Sequence, residues 1–178
     1  MILESTRALL RLFKTIESNT HLAPGGNITE LEQVPAIVLE GPQPVEAMDM
    51  RRATYKITDI DRVGETFTRE PSPRFYDLRF SISLSAENAL DLLNLLEKCS
   101  RLAHNFPVLT VTQETTQRER EFSWEWETFP NGSGAPNASE IYEAFGSLRV
   151  RDVEVYSGVV ETGTLITDII TEITPERS

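Results

Sequence analysis

The stretch FYDLRFSISLSAENALDLLNLLEKCSRLAHNF, Phe75 to Phe106, changes its hydrophobic period from two to that of a helix around one serine, Ser85. Tyr76, Leu78, Phe80, Ile82 and Leu84 alternate with Asp77, Arg79, Ser81 and Ser83, the pattern of a half-buried strand. From Ala89 onward, Ala89, Leu92, Leu93, Leu96, Cys99 and Ala103 fall on a helical stripe. Ser85 is the expected cap, and Glu87 is expected in the electropositive first turn. A strand that feeds directly into an amphipathic helix places a helix against a sheet. Leu90, Leu95 and Leu102 widen the apolar face, so either the first helix or a neighbouring subunit is expected to cover its flanks.

Working outward, Ile2 to Ile16 forms a second amphipathic helix with Ile2, Leu3, Leu9, Leu10, Phe13 and Ile16 on one face. Pro24-Gly25-Gly26-Asn27 breaks it, and Pro35 to Leu39 reads as a short buried strand stopped by Gly41-Pro42. Arg51 to Ile60 alternates as a strand with one wet face, followed by a charged loop from Asp61 to Arg74. Beyond the central helix, Val108 to Val111 and Glu119 to Glu127 read as strands. In the latter, Phe122, Trp124 and Trp126 face opposite to Glu121, Ser123, Glu125 and Glu127. A Gly/Pro loop spans Phe129 to Asn137, and Ser139 to Phe145 is open between a helical turn closed by Gly146 and irregular chain. Leu148 to Val160 and Thr164 to Ile173 read as a hairpin about Glu161-Thr162-Gly163. Their β-branched residues favour strand over helix. The sum is an α+β fold: a mixed, mostly antiparallel sheet flanked by an N-terminal and a central helix. One domain is expected over residues 1–178, with protruding loops near 61–74 and 129–137.

Composition narrows the function classes. Seventeen basic residues against 28 acidic ones give a net charge of −11, the opposite of a surface that displaces counterions from nucleic-acid phosphates. Fourteen of the basic residues are arginine, the cation favoured for bidentate pairing at protein interfaces. Glu4, Arg7, Arg11 and Lys14 interrupt the first helix, which is therefore expected to be neither a signal peptide nor a membrane span. In that setting Asn27, Asn131 and Asn137 of the three Asn-x-Ser/Thr sequences read as turn residues in a cytosolic protein. The single cysteine, Cys99, lies on the helical stripe and reads as a small core residue.

Chemistry-bearing motifs are sparse. His21 sits in loop sequence, and His104 falls where an imidazolium meets the negative end of the central helix. There is no metal-binding Cys/His spacing, phosphate-cradling glycine loop or nucleophile elbow, so no catalytic, cofactor-binding or metal residues are assigned and an enzyme is not expected. Glu121, Glu125 and Glu127 near two tryptophans superficially suit sugar hydrolysis or a ligand pocket beside Trp124 and Trp126. Strand alternation turns those acids away from the aromatic face.

With QVPAIVLEGPQP (33–44), the segment from Arg74 to Ala103 and VRDVEVYSGVVETGTLITDIITEI (150–173) in this order, the chain resembles tail terminator proteins of long-tailed phages and related contractile injection particles. The resemblance covers most of the chain outside Thr112 to Gly146. It implies a structural virion protein, an α+β subunit of a hexameric ring that caps the tail tube at its head-proximal end and joins it to the neck. Its implied partners are copies of itself, the tail tube, possibly the sheath, and neck or connector proteins, with no membrane and no sequence-specific nucleic acid. Assembly is implied in the host cytoplasm, and the alternative within the same setting is another neck or tail-completion protein. Surface patterning nominates Arg51, Arg52, Arg79, Glu121, Glu125, Arg149 and Arg151, nearly all on polar strand faces, as subunit contacts.

Overall fold

The structure, a computed structural model, describes residues 1–23, 34–47, 55–64, 66–112, 119–132, 134–155 and 161–164. Among the described residues it is α+β with a mostly antiparallel, curled sheet and two helices. Its contacts group into two compact units, Met1–Asp49 with Phe75–Val155, and Met50–Arg74 with Tyr156–Ser178.

The first unit begins with α1 (Ile2–Lys14), where Glu4 in the opening turn meets the terminal ammonium at 2.8 Å. Leu9 and Phe13 are buried as expected, but Leu3 is exposed. Ser5 and Thr6 complete the inward face, with Thr6 Oγ1 donating to the Ile2 carbonyl at 2.8 Å. A hydroxyl residue that bonds its own helix, as Thr6 does, can occupy an inward position that hydropathy assigns to leucine.

The sheet that receives α1 contains β1 (Thr20–Ala23), β2 (Ala36–Glu46), β5 (Arg74–Ala86), β6 (Val108–Thr112), β7 (Glu119–Asn131) and β8 (Tyr142–Val155), in the order β1-β2-β5-β8-β7-β6. β1, which the sequence pattern did not mark, lies parallel to β2, Thr20 opposite Ile37. β2 does not stop at Gly41-Pro42: it continues along β5 through a register shift between Glu40 and Gln43. Gly41 absorbs that bulge at φ +128°, with its backbone so close to β5 that a Cβ would lie 2.9 Å from the Arg79 carbonyl.

β5 keeps the expected alternation, Leu78, Phe80, Ile82 and Leu84 buried while Arg79 and Ser81 are exposed. Near its end the opposite face is covered as well: Ser83 and Ser85 are buried, as are Val38 and Ala36 paired to them. Ser85 is thus a strand residue and not the helix cap. The cap is Asn88, whose side chain accepts from the Asp91 amide at 2.9 Å, and Asp91 supplies the acid of the first turn.

α2 (Ala89–Asn105) buries Leu92, Leu95, Cys99 and Leu102, while Leu93, expected in the core, is 61% exposed. Five of the seven residues from Leu90 to Leu96 are leucine, so two overlapping stripes fit the periodicity. Contact with the sheet selects the one through Leu95 and Leu102. Both helices bury their apolar stripes in the same cluster as Ile37, Leu39, Leu78, Phe80, Leu148 and Val150.

β7 and β8 form a long antiparallel pair, with Trp124 opposite Val150, Glu125 opposite Arg149 and Trp126 opposite Leu148. The loop expected to begin at Phe129 therefore begins later, since β7 continues to Asn131. No helical turn forms at Ser139 to Phe145. The Asn137 side chain accepts from the amides of Ser139 and Ile141 at 2.9 and 3.1 Å, and β8 starts at Tyr142. Gly146, expected to close a helix, is a strand residue where a Cβ would meet the Thr128 carbonyl at 2.6 Å.

The second unit is a three-stranded antiparallel sheet, β3 (Tyr55–Asp61), β4 (Thr66–Pro71) and β9 (Glu161–Thr164), in the order β3-β4-β9. The segment expected as the charged loop from Asp61 to Arg74 is therefore a tight turn and a strand. Asp61 Oδ1 accepts from the amides of Val63 and Gly64, both at 3.0 Å, closing the turn into β4. β9 occupies the residues expected to turn the C-terminal hairpin, and pairs with β4, Phe67 opposite Gly163. The remainder of that expected hairpin, 156–160 and 165–173, lies outside the described residues.

Candidate interaction surfaces

Alternation along β5, β7 and β8 puts one charged residue after another on the sheet face opposite the core, and the strand order brings them together. Arg149 reaches three carboxylates: Glu125 at 2.6 Å, Asp77 at 3.4 Å and Glu127 at 3.7 Å. Arg151 donates through Nε to the same Glu125 oxygen at 2.9 Å, and a second of its nitrogens also pairs with Glu125. Arg79 Nε bonds Glu127 at 3.0 Å, and Asp77 also accepts the backbone amide of Asp152 at 3.2 Å. Three arginines and three carboxylates thus balance within one chain. The guanidinium of Arg149, and after it that of Arg151, holds the Glu125 carboxyl below the usual carboxylate range. Arg149 is pushed up chiefly by its hydrogen bond to Glu125, against a smaller desolvation cost.

Of the seven contact candidates, the structure gathers Arg79, Glu125, Arg149 and Arg151 into this lattice. Glu121 stands apart on an exposed position opposite Thr110 of β6, while Arg51 and Arg52 lie outside the described residues. Asp77 and Glu127 are lattice members that were not nominated. Their side of the strand was legible, but their partners depend on β8 lying between β5 and β7. Arg149 is spent on internal pairs. Arg79 and Arg151 remain 46% and 44% exposed.

The tryptophans lie on the other side of the sheet. Trp124 is buried, donates Nε1 to the Phe106 carbonyl at 2.5 Å, and meets Phe13 of α1 edge to face at 5.8 Å. Trp126 completes an edge-to-face group with Phe13, Trp124 and Phe129 at 5.5–6.0 Å. The pair clamps α1 to the sheet, and Glu121, Glu125 and Glu127 face away from it. A separate depression of about 290 Å³ lies where β7 hands over to β8, lined by Pro136, Ile141 and Phe145 with Asn131, Asn137 and Glu143.

Apolar side chains are exposed in both units. On α2, Leu90 and Leu93 are 75% and 61% exposed, one turn apart on the ridge that faces away from the core. In the second unit Val63 is 97% exposed at the turn, and Ile57 and Ile60 are about half exposed. Because a register shift lies between Ile57 and Asp59, Ile57 opposite Arg69 and Ile60 opposite Phe67 share one face of that sheet. Every one of this unit's side chains for which burial is described is exposed or half-exposed.

Among the described residues no group of His, Cys, Asp and Glu is arranged to hold a metal ion, and no helix is long and apolar enough to cross a membrane. No protein-family model and no curated protein matches this chain.

Proposed function

We propose that the chain is a structural subunit that associates with copies of itself into a closed ring, and that the ring is a tail terminator capping a phage-type tail tube. The observation that carries self-association is the second unit. Among the described residues this small sheet leaves every side chain whose burial is described at least partly exposed and carries Ile57 and Ile60 on one face, apolar surface that association would bury. The terminator assignment comes from the sequence resemblance, and its partners follow: the tube below, a sheath where the tail is contractile, and neck proteins above. Termination requires a finite assembly, which a head-to-tail interface supplies only when its rotation closes.

Light scattering on the purified chain should give one oligomeric mass that stays constant with concentration. Deleting the gene from the parent particle should give tails of uncontrolled length. Normal-length tails that fail to join heads would instead favour a neck or tail-completion protein, and normal-length tails joined to heads would rule out both roles.

A further inference from the structure

We propose that Asn131 is a site of spontaneous deamidation, reached through a cyclic imide with Gly132. In that reaction the Gly132 amide nitrogen gives its proton to water and bonds to the side-chain carbonyl carbon of Asn131, and Nδ2 leaves as ammonia. A water molecule then opens the ring at either carbonyl, leaving aspartate or isoaspartate. Water is the sole co-reactant. The attacking nitrogen must be unobstructed, and glycine, which has no Cβ, obstructs it least. Of the seven asparagines in the chain, only Asn131 precedes a glycine.

The fold holds the other described asparagines and leaves this one free. Asn19 donates Nδ2 to the Pro35 carbonyl at 3.1 Å and bonds the His21 ring through Oδ1. Asn88 engages Asp91 with both its side-chain oxygen and nitrogen, and Asn137 accepts the amides of Ser139 and Ile141. Asn94 and Asn105 lie in α2, where the following amide is tied into the helix, that of Phe106 to the Leu102 carbonyl at 2.9 Å. Asn27, followed by the β-branched Ile28, lies outside the described residues. Asn131 is exposed, and its side chain has no hydrogen-bond partner among the described residues. It is also the last residue of β7, beyond a register shift, where a ladder opens most readily. Gly132 is fixed as glycine by packing, because a Cβ there would run into the Glu143 carbonyl oxygen of β8. The product places a new carboxylate in the depression that Glu143 also lines, and isoaspartate reroutes the main chain through a side-chain carbon at the residue paired with Phe145.

Peptide mapping of the intact chain, with an isoaspartyl methyltransferase as the probe for isoaspartate, tests the site. During incubation of the folded protein at mildly alkaline pH, isoaspartate and aspartate should accumulate at position 131 before any other asparagine changes. The same conversion should run faster in guanidinium chloride, where the ladder no longer restrains the backbone. Asn131→Gln should abolish the early signal, because the longer side chain has to close a larger ring, and a urea unfolding curve confirms that this variant is folded. Earlier modification of Asn137 or any other asparagine in the folded chain would overturn the proposal. So would an Asn131 that changes only in the denaturant, since the end of β7 would then be held as firmly as its middle, or an isoaspartate signal that survives Asn131→Gln.

Discussion

Replacing Leu95 by alanine separates the two helical stripes that the leucine-rich start of α2 permits. Leu95 is 2% exposed within the core cluster, whereas Leu93 is 61% exposed. Leu95→Ala removes three buried carbons, worth roughly 2.4 kcal/mol at about 0.8 kcal/mol each, and a partly collapsed cavity adds about 1 kcal/mol more. The loss of about 3–4 kcal/mol should lower the urea midpoint by about 2 M, for a slope of about 2 kcal/mol/M. Leu93→Ala should change stability by less than about 0.5 kcal/mol, because alanine is the better helix former and little area is lost. Tryptophan fluorescence is the suitable probe, since Trp124 and Trp126, the two tryptophans of the chain, sit together against Phe13 in the same unit as α2. Equal destabilisation by the two substitutions, or a larger effect at Leu93, would show that the helix packs in the other phase.

Three further outcomes follow from the same structure. Glu125 has its pKa lowered by Arg149 and Arg151, so it contributes stability above the unfolded carboxylate pKa that is lost as pH falls through the lowered folded value. Glu125→Gln should flatten the acid limb of stability against pH below about 4.5, by less than about 1 kcal/mol because Glu125 is 42% exposed and screened by salt, and an unchanged acid limb would contradict the lattice. Gly41→Ala should cost more than about 1 kcal/mol in thermal or urea unfolding, since it forces a side chain into φ +128° and against the Arg79 carbonyl; a neutral substitution would mean the bulge is not as described. The Cys99 thiol, buried and pushed up to about 12 by desolvation, should react with a thiol reagent only as urea unfolds the chain, and prompt labelling of the folded protein would place Cys99 outside the core.

The self-satisfied charge lattice bears on how subunit contacts are read. Arg149 is already surrounded by Asp77, Glu125 and Glu127, so bonding it to a neighbour would first require breaking bonds within its own chain. The lattice ties β5, β8 and β7 together across their polar face. Arg79 and Arg151, half exposed at its margins, are the members able to add an external partner.

What the sequence by itself determined was the periodic part. The alternation of β5 and β7, the two amphipathic helices and the separation of Trp124 from its flanking acids all follow from side-chain direction along a local backbone, which needs no partner strand. The phase of α2 was beyond it, because leucine at Leu90, Leu92, Leu93, Leu95 and Leu96 satisfies two stripes and only contact with the sheet distinguishes them. Polar strands were missed for a related reason. Thr66–Pro71 carries no clear alternation of hydropathy, and its strand character comes from backbone pairing to β3 and β9. The continuation of β2 through Gly41-Pro42 likewise depends on β5 lying alongside to accept a bulge. Which charges meet was decided last and only in three dimensions: Asp77 and Arg149 are 72 positions apart, and they touch because the fold inserts β8 between β5 and β7.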